Sequence, residues 1–461
     1  MLGNYKRIHF IGIGGSGMSA IAKILLEMGY EVSGSDIKYS EILNKLQNQG
    51  AKVFIGHNSE NVIGAELVVV SSAIPTNNPE YIEAIKQNIP ILHRADILSI
   101  LMNHKKGIAI SGAHGKTTTT SMISLMLDKN GYQPTVLIGG ELNDIGGNAV
   151  LGSGEYLVAE ADESDGSFLK LNPFIAVVTN IENDHLDYYK NMDNMKKAFV
   201  KFIENIKDDG FAFLCIDNEN VRDIIPNIKK KIFTYGIKYN ADYMPKDIVL
   251  KGISSIFAVY YKEKFLGDIE LNVPGIHNVY NATAAVGIGH QLGIDIKDIA
   301  SALKNFRGVQ RRFQNIGEVN GVKIFDDYAH HPTEIKVVLK TARLLNPRKI
   351  YAIFQPHRYT RTKLLAEEFG TAFFDADEVI VTKLYSAGEE PIPNVSSELI
   401  VSALNKNNVN VKYIEKKEEV VDYLLYKLVP GDLVITIGAG DINKVSHELY
   451  KAMKMTIRDV S

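Results

Sequence analysis

The segment IAISGAHGKTTTTSM, Ile108 to Met122, carries the residue types best suited to chemistry. An apolar run meets Gly112, Ala113, His114, Gly115, Lys116, Thr117 and Thr118, and a helical pattern follows. In that setting backbone N–H groups cradle phosphate oxygens, a lysine neutralises the β and γ phosphates, and a threonine hydroxyl holds Mg2+. Lys116 and Thr117 stand at those two positions. The loop departs from G-x-x-x-x-G-K-[ST] because Ile110 occupies the place of the first glycine, and an ordinary strand-to-helix turn is the alternative.

A second glycine turn lies at the start. RIHFIGIGGSGMSA sets Gly12, Gly14 and Gly17 at the spacing G-x-G-x-x-G, and Asp36 follows the next strand candidate, YEVSGSD. The spacing suits a diphosphate at a helix N-terminus with an acidic residue on a ribose. A plain structural turn is the alternative, and an NAD-dependent oxidoreductase is one reading of the fingerprint.

Two acidic stretches come next. LVAEADESDGSF presents Glu160, Asp162, Glu163 and Asp165, and AVVTNIENDHLDYY presents Asn180, Glu182, Asp184, His185 and Asp187. Each is either a seat for a hard cation or a solvated acidic turn, and His185 alone is either a ligand or a packed histidine. Their place after successive strands beside the phosphate loop favours Mg2+ facing ATP. In VPGIHNVYNATAAVGIGHQLG, Asn278 and Asn281 share a helix face and suit an adenine edge, with helix capping by Asn278 as the alternative. FDDYAHHPTE and FQPHRYTRT supply Asp326, Asp327, His330, His331, His357, Arg358 and Arg361. Two arginines at i and i+3 can grip one anion, or simply form surface ion pairs.

These groups need elements to hold them. RIHFIGI, ELVVVSSA, KGIAISG, EYLVAEA, FIAVVTNI, KIYAIFQP, EVIVTKLY and DLVITIGAG read as strands that alternate with helical stretches, so the expected fold class is α/β with parallel sheets. Polar residues just past the strands sit where open α/β sheets bind ligands. Polar or basic breaks at NHKKG and LKNFRGVQRRF divide the chain into three units, 1–105, 106–308 and 309–461. A chain of 461 residues fits three such domains. With 51 basic and 54 acidic side chains the formal charge is −3, which offers no domain-wide field for nucleic acid. Cys215 is the single cysteine, so an intramolecular disulfide is excluded and a reducing cytoplasm is expected. No apolar stretch is long enough to suggest a membrane span, the opening residues do not read as a signal peptide, and no oligomeric state is specified.

The strings GIGGSGMSA, GAHGKTTTT, EADESDGSF, TNIENDHLDYY, PGIHNVYNATAA, RRF, DDYAHHP, FQPHRYTR and GAGDI resemble, in content and order, those of the Mur ligases, most closely the alanine-adding branch. The resemblance covers nearly the whole chain and implies that 1–105 is a Rossmann-like unit, 106–308 a central P-loop-type ATPase unit and 309–461 a second Rossmann-like unit. It implies a bacterial cytoplasmic enzyme of peptidoglycan precursor synthesis, with ATP, UDP-N-acetylmuramate and L-alanine as substrates and Mg2+ as cofactor. The lactyl carboxylate would be phosphorylated, and the acyl phosphate attacked by the alanine amine, giving an amide, ADP and phosphate. It further implies Thr117, Glu160 and His185 as Mg2+ ligands, and Lys116 on the transferred phosphoryl group. Residues 112–118 with Asn278, Asn281, Arg312 and Asp327 would meet ATP. Gly12, Gly14, Gly15, Ser16, Gly17, Asp36, Ser71, Arg94, Arg358 and Arg361 would meet the UDP substrate, Tyr328 and His330 the amino acid, and His330 and Arg358 would also serve catalysis. A ligase that recycles a preformed peptide onto the same sugar nucleotide is the nearest rival.

Sister ligases that add later residues place a carbamylated lysine fourteen residues after the histidine of D-H-x-D. Counting from His185 gives Phe199, with Lys197 and Lys201 two positions to either side. That departure agrees with the alanine-adding branch.

Overall fold

The structure, a computed structural model, describes residues 2–3, 5–142, 147–182 and 186–458. The apolar runs become the strands of three sheets, as their β-branched content favours. In the first, β1 (Arg7–Ile11), β2 (Glu31–Asp36), β3 (Lys52–Ile55), β4 (Leu67–Val70) and β5 (Ile91–His93) are all parallel in the order β3-β2-β1-β4-β5. The order reverses at β1, so the glycine turn that follows β1 opens at the switch point where such sheets bind ligands.

The second sheet holds β6 (Lys106–Ser111), β7 (Thr135–Leu142), β8 (Gly147–Val150), β9 (Tyr156–Glu160), β10 (Ile175–Val178), β11 (Phe211–Cys215), β12 (Ile232–Tyr235), β13 (Tyr243–Lys251), β14 (Ser254–Tyr261) and β15 (Lys264–Leu271). Its order is β15-β14-β13-β12-β11-β10-β6-β9-β7-β8, parallel from β13 to β7. Here the switch point is β6, and the phosphate loop leaves its carboxyl end. Every residue of β10 and β11 is buried, the continuous apolar character expected where helices cover both faces. Cys215 is buried in β11.

In the third sheet β16 (Gln314–Val319) pairs antiparallel with β17 (Val322–Asp327). The rest, β18 (Ile350–Phe354), β19 (Glu378–Val381), β20 (Val411–Tyr413) and β21 (Leu433–Ile437), completes the order β16-β17-β21-β18-β19-β20 in parallel.

Two compact units result. One comprises Met1–Ile248, Ile256–Leu271 and Asn278–Arg307, the other Val249–Ser255, Asn272–His277 and Gly308–Ser461. Within the first unit a single apolar core runs from the first sheet into the second. The helix Ser16–Glu27 packs on β7 and β8, and Lys23 Nζ donates to the Ala149 carbonyl at 2.7 Å. In the second unit two apolar clusters cover the two faces of the third sheet. Among the described residues no helix is long and apolar enough to cross a membrane.

Phe199 lies on the helix Met192–Glu204 and is 1% exposed, its ring edge-on to Phe168 at 5.2 Å. Lys197 and Lys201 are exposed, so the core-facing position of this helix is aromatic and the flanking lysines face water. Phe199→Ala should cost about 3–5 kcal/mol of stability through the lost transfer energy and the cavity left behind. A lowered midpoint of urea unfolding measures it.

Candidate active site

The phosphate loop is fixed by the strand beside it. Gly112 has φ +133°, and a Cβ built there would lie 2.3 Å from Thr179 Oγ1 and 2.8 Å from the Asn180 carbonyl, so only glycine fits. Thr179 and Asn180 follow β10 and hold His114 by its backbone. Asn180 Oδ1 accepts the His114 N–H at 3.0 Å, while Asn180 Nδ2 and Thr179 Oγ1 donate to the His114 carbonyl at 2.9 and 2.6 Å. The His114 ring meets Glu182 at 3.1 Å. Lys116 begins the helix Lys116–Lys129, and its Nζ donates to the Gly112 carbonyl at 2.6 Å and to both oxygens of Glu163 at 2.7 and 2.9 Å. Burial works against the ammonium, but Glu163, Asp162 and Glu160 overcome it and raise the Lys116 pKa. The loop therefore offers a protonated amine in a preset position.

The acidic turn after β9 gives each carboxylate a different address. Glu160 Oε1 accepts the Gly139 N–H at 2.7 Å, Asp162 Oδ2 accepts from Arg94 Nη2 at 2.7 Å, Glu163 takes Lys116, and Asp165 Oδ1 accepts the Ser167 N–H at 3.0 Å. Burial would push the Asp162 carboxyl up, yet Lys116 and Arg94 hold it at about 2. Glu160 ends the strand next to β6, and Thr117 stands in the first turn of the helix after β6. Two hard oxygen donors at neighbouring strand ends fit Mg2+. His185, the third expected ligand, and Asp184 lie outside the described residues.

Asn278 and Asn281 are both buried on the helix Ile276–Gln291. Asn281 Oδ1 accepts from Thr119 Oγ1 at 3.1 Å, its Nδ2 donates to Asn278 Oδ1 at 3.3 Å, and a Cβ on Gly115 would lie 2.8 Å from its Oδ1. The amide expected on an adenine edge is thus turned into the phosphate loop, which it supports from below.

The glycine turn is also more self-contained than its spacing suggests. The Ser35 carbonyl accepts the N–H groups of Gly12 and Ile13 at 2.8 and 3.0 Å, and the Gly12 carbonyl accepts that of Gly15 at 3.2 Å. Asp36, expected on a ribose, accepts the Gly14 N–H on Oδ2 at 2.9 Å and the Ile37 N–H on Oδ1 at 2.8 Å. A carboxylate on the last residue of β2 meets those amides first. Beneath them Ser35 Oγ donates to the fully buried Glu80 at 2.5 Å, and Asn61 Nδ2 to its other oxygen at 2.5 Å. Burial opposes the Glu80 charge, but His9, Ser35 and Asn61 bring its pKa to about 2. What remains for a ligand is the start of the helix Ser16–Glu27, whose cap residue Gly15 gives no side-chain bond and whose first turn holds no acid. Such an end receives anions. Arg94 lies against it: a Cβ on Gly17 would be 2.8 Å from Arg94 Nη1. Ser71 follows β4, and its carbonyl accepts the Ile74 N–H at 3.1 Å, which lays Ile74 against Gly12.

In the second unit the strings from β17, β21 and β18 converge because those strands are neighbours. Tyr328 sits under two cations, with Arg311 and Arg312 at 4.9 and 5.3 Å from its ring centroid, and stands edge-on to His330 at 5.6 Å. Asp327 faces inward, accepting the N–H groups of Phe313 and Ala329 at 2.6 and 2.7 Å, and burial pushes its carboxyl up to about 7. The expectation that it reaches ATP meets a carboxylate that braces its own turn. His330 Nδ1 donates to the Tyr328 carbonyl at 3.0 Å, which puts the lone pair of the neutral ring on Nε2. His357 accepts on Nδ1 from Arg361 Nη1 at 3.4 Å and stacks on Tyr385 at 5.6 Å and 7°. Arg358 opens the helix Tyr359–Phe369 at φ +71°, ψ 140°, a conformation that side chains rarely adopt and that is concentrated at working sites. The sequence does not single out Arg311 and Tyr385, and Glu163 and Asn180 enter it only as members of their polar runs. For Glu163 the signal was present, since it belongs to the acidic run.

Residues 7–106 match the Mur ligase family catalytic domain, residues 110–289 the Mur ligase middle domain, and residues 311–440 the Mur ligase glutamate ligase domain. A UDP-N-acetylmuramate–L-alanine ligase of Pelotomaculum thermopropionicum is 52% identical over 451 residues, which is 97% of this chain and 98% of that protein. The chain belongs to the Mur ligase family. The crystal structure of UDP-N-acetylmuramate–alanine ligase from Thermotoga maritima superposes with a TM-score of 0.85 at 31% identity, covering 98% of this chain and 99% of that one. A murein peptide ligase from Psychrobacter arcticus shares the fold, with a TM-score of 0.74 at 24% identity over 97% of this chain and 98% of its own. The α/β architecture with three sheets is that of the Mur ligases.

The second unit of this Mur ligase contains three imidazoles that burial keeps neutral, His277 and His330 at about 4 and His357 at about 3. Unfolded, each takes a proton near pH 6.5, roughly the free value, so acid favours the unfolded state between about pH 6.5 and 4. Asp327 acts oppositely, because its folded form keeps a proton below about 7 that the unfolded chain releases until about 4. Asp326, whose carboxyl pKa burial also raises, acts in the same direction as Asp327. With three imidazoles against two carboxyls, melting temperature should fall from pH 7 to pH 5, and His357→Gln should reduce that fall.

Proposed function

We propose that the chain joins L-alanine to the lactyl carboxylate of UDP-N-acetylmuramate, converting ATP to ADP and phosphate, in the bacterial cytoplasm. What supports the reading is one arrangement above all: a single unit carries two helix N-termini ready for phosphates, one beside Lys116 and one beside Arg94. The near-full-length likeness to an alanine ligase selects the substrates.

The chemistry assigns a task to each group. A carboxylate is a poor electrophile because oxide would have to leave. Transfer of the γ-phosphoryl group to a carboxylate oxygen, with ADP departing, gives an acyl phosphate; attack by the amine then forms the amide and releases phosphate. Both steps set anions against each other, and a fixed cation answers that repulsion. Lys116 is that cation. Thr117, Glu160 and His185 would hold Mg2+, which supplies further positive charge at the phosphates when bound. Residues 112–118 take the ATP phosphates, with Asn278 beside the base and Asn281 acting through the loop it supports. The amides from Ser16 onward, with Arg94, take the UDP diphosphate, while Gly12, Gly14, Gly15, Asp36 and Ser71 shape that turn. In the second unit Arg358 and Arg361 suit a carboxylate or acyl phosphate, and Arg312 the ATP-derived phosphoryl group, with Asp327 bracing the turn after β17. Tyr328 would line the amino-acid side, and His330 Nε2 would take the proton an ammonium must lose before it attacks. The division into 1–105, 106–308 and 309–461 follows the same assignment of tasks.

Phosphate release from ATP with Mg2+, UDP-N-acetylmuramate and single amino acids tests the reading. Release is expected only when both the sugar nucleotide and alanine are present; release independent of either, or with a preformed peptide in place of alanine, would contradict it. Glycine lacks one methyl group, worth about 1–3 kcal/mol in a pocket, so its kcat/KM should be lower by roughly 10- to 200-fold. Lys116→Ala should abolish turnover while binding of UDP-N-acetylmuramate, followed by calorimetry, persists.

A further inference from the structure

Arg94 begins the helix Arg94–Asn103, and Asp162 stands in the acidic turn after β9. The two terminal nitrogens of the Arg94 guanidinium have different addresses. Nη2 donates to Asp162 Oδ2 at 2.7 Å, and Nη1 faces the glycine turn, 2.8 Å from where a Cβ on Gly17 would be.

Asp162 is itself immobilised. Its Oδ1 accepts the Ser164 N–H at 3.1 Å, and its carbonyl accepts the Phe168 N–H at 3.1 Å and the Ser167 hydroxyl at 3.2 Å. The helix that carries Arg94 is tied to the same stretch of chain. Ser99 Oγ donates to the Lys170 carbonyl at 2.7 Å, and Lys170 Nζ pairs with Asp96 at 2.8 Å. His93 and Asp96 close a capping box around the helix start, which fixes the backbone from which Arg94 projects. Arg94 and Asp162 side chains are 21% and 37% exposed, a degree at which an ion pair adds little to folding stability. Orientation is what such a pair can supply: an arginine already held loses little rotamer freedom when an anion arrives.

We propose that Asp162 is a positioning residue for the diphosphate of the sugar nucleotide. By holding one edge of the Arg94 guanidinium it directs the other edge over the start of the helix Ser16–Glu27, where a diphosphate meets backbone amides and a forked cation together. The next residue, Glu163, holds Lys116, so two adjacent carboxylates of one turn orient the cations of both nucleotide sites. This rests on the reading of the glycine turn as the diphosphate site.

A double-mutant cycle on the full chain tests it, with UDP-N-acetylmuramate titrated calorimetrically into wild type, D162N, R94A and the double variant. D162N should weaken binding about tenfold in the wild-type background and less than about twofold beside R94A, because a residue acting through another has no effect once that other is gone. R94K, which keeps the charge and loses the fork, should weaken binding about as much as D162N. Melting temperatures of the variants should stay within a few degrees of wild type, and D162A serves if D162N does not fold. Additive losses, unchanged affinity or tighter binding in D162N would overturn the proposal. Failure of the wild-type chain to bind the sugar nucleotide at all would instead remove the reading of the glycine turn.

Discussion

The loop Gly112–Thr118 carries a buried ammonium that would be costly to leave unpaired, and the pair Lys116–Glu163 is what holds it. The carboxylate sits where an anion is wanted, within 2.9 Å of Nζ at both oxygens, and keeps the amine charged against burial. Around that pair the rest of the first unit falls into order. β10 supplies Thr179 and Asn180 to hold His114, β9 supplies the acidic turn, and the helix Ile276–Gln291 supplies Asn281 from beneath. The first two are short polar contacts at the carboxyl ends of buried strands, placed by sheet order, since β10 and β9 are the two neighbours of β6.

The glycine turn solves a similar problem with a different division of labour. Its early amides are closed on Ser35, Asp36 and Gly12, and Ser35 rests on Glu80, a buried carboxylate gathered among His9, Ser35 and Asn61. Rigid support from below leaves the helix start above it as the receptive face. The same logic recurs in the second unit, where Asp327 braces the turn that displays Tyr328 and His330.

Much of this was legible in the residues. Continuous runs such as IAVV and LVITI can only be central strands, and the glycines after β1 and β6 mark turns that those strands feed. The hairpin turn Lys262–Glu263 was not legible. Both residues have positive φ, 46° and 66°, yet neither is glycine or asparagine, so the addition of β15 to β14 carries no local signal. Carboxylates were the other difficulty. Asp36 and Asp327 have the residue type of ligand-binding groups, but whether a carboxylate meets a ligand or a backbone amide is decided by which N–H groups the fold brings near, and spacing along the chain does not contain that. Glu160 and Glu163 are likewise indistinguishable until the turn between them is seen to point them at Gly139 and Lys116.

Arg358 puts the balance between folding and chemistry in one residue. At φ +71° and ψ 140° a glycine would rest without strain, and the N–H bond to the Tyr385 carbonyl at 2.8 Å would survive the exchange. Pressure for stability alone would therefore move this position toward glycine. An arginine here means that the third sheet is firm enough to carry a conformation its own folding does not favour, and that the surplus firmness of the strands beneath is part of what makes a cation available at that spot.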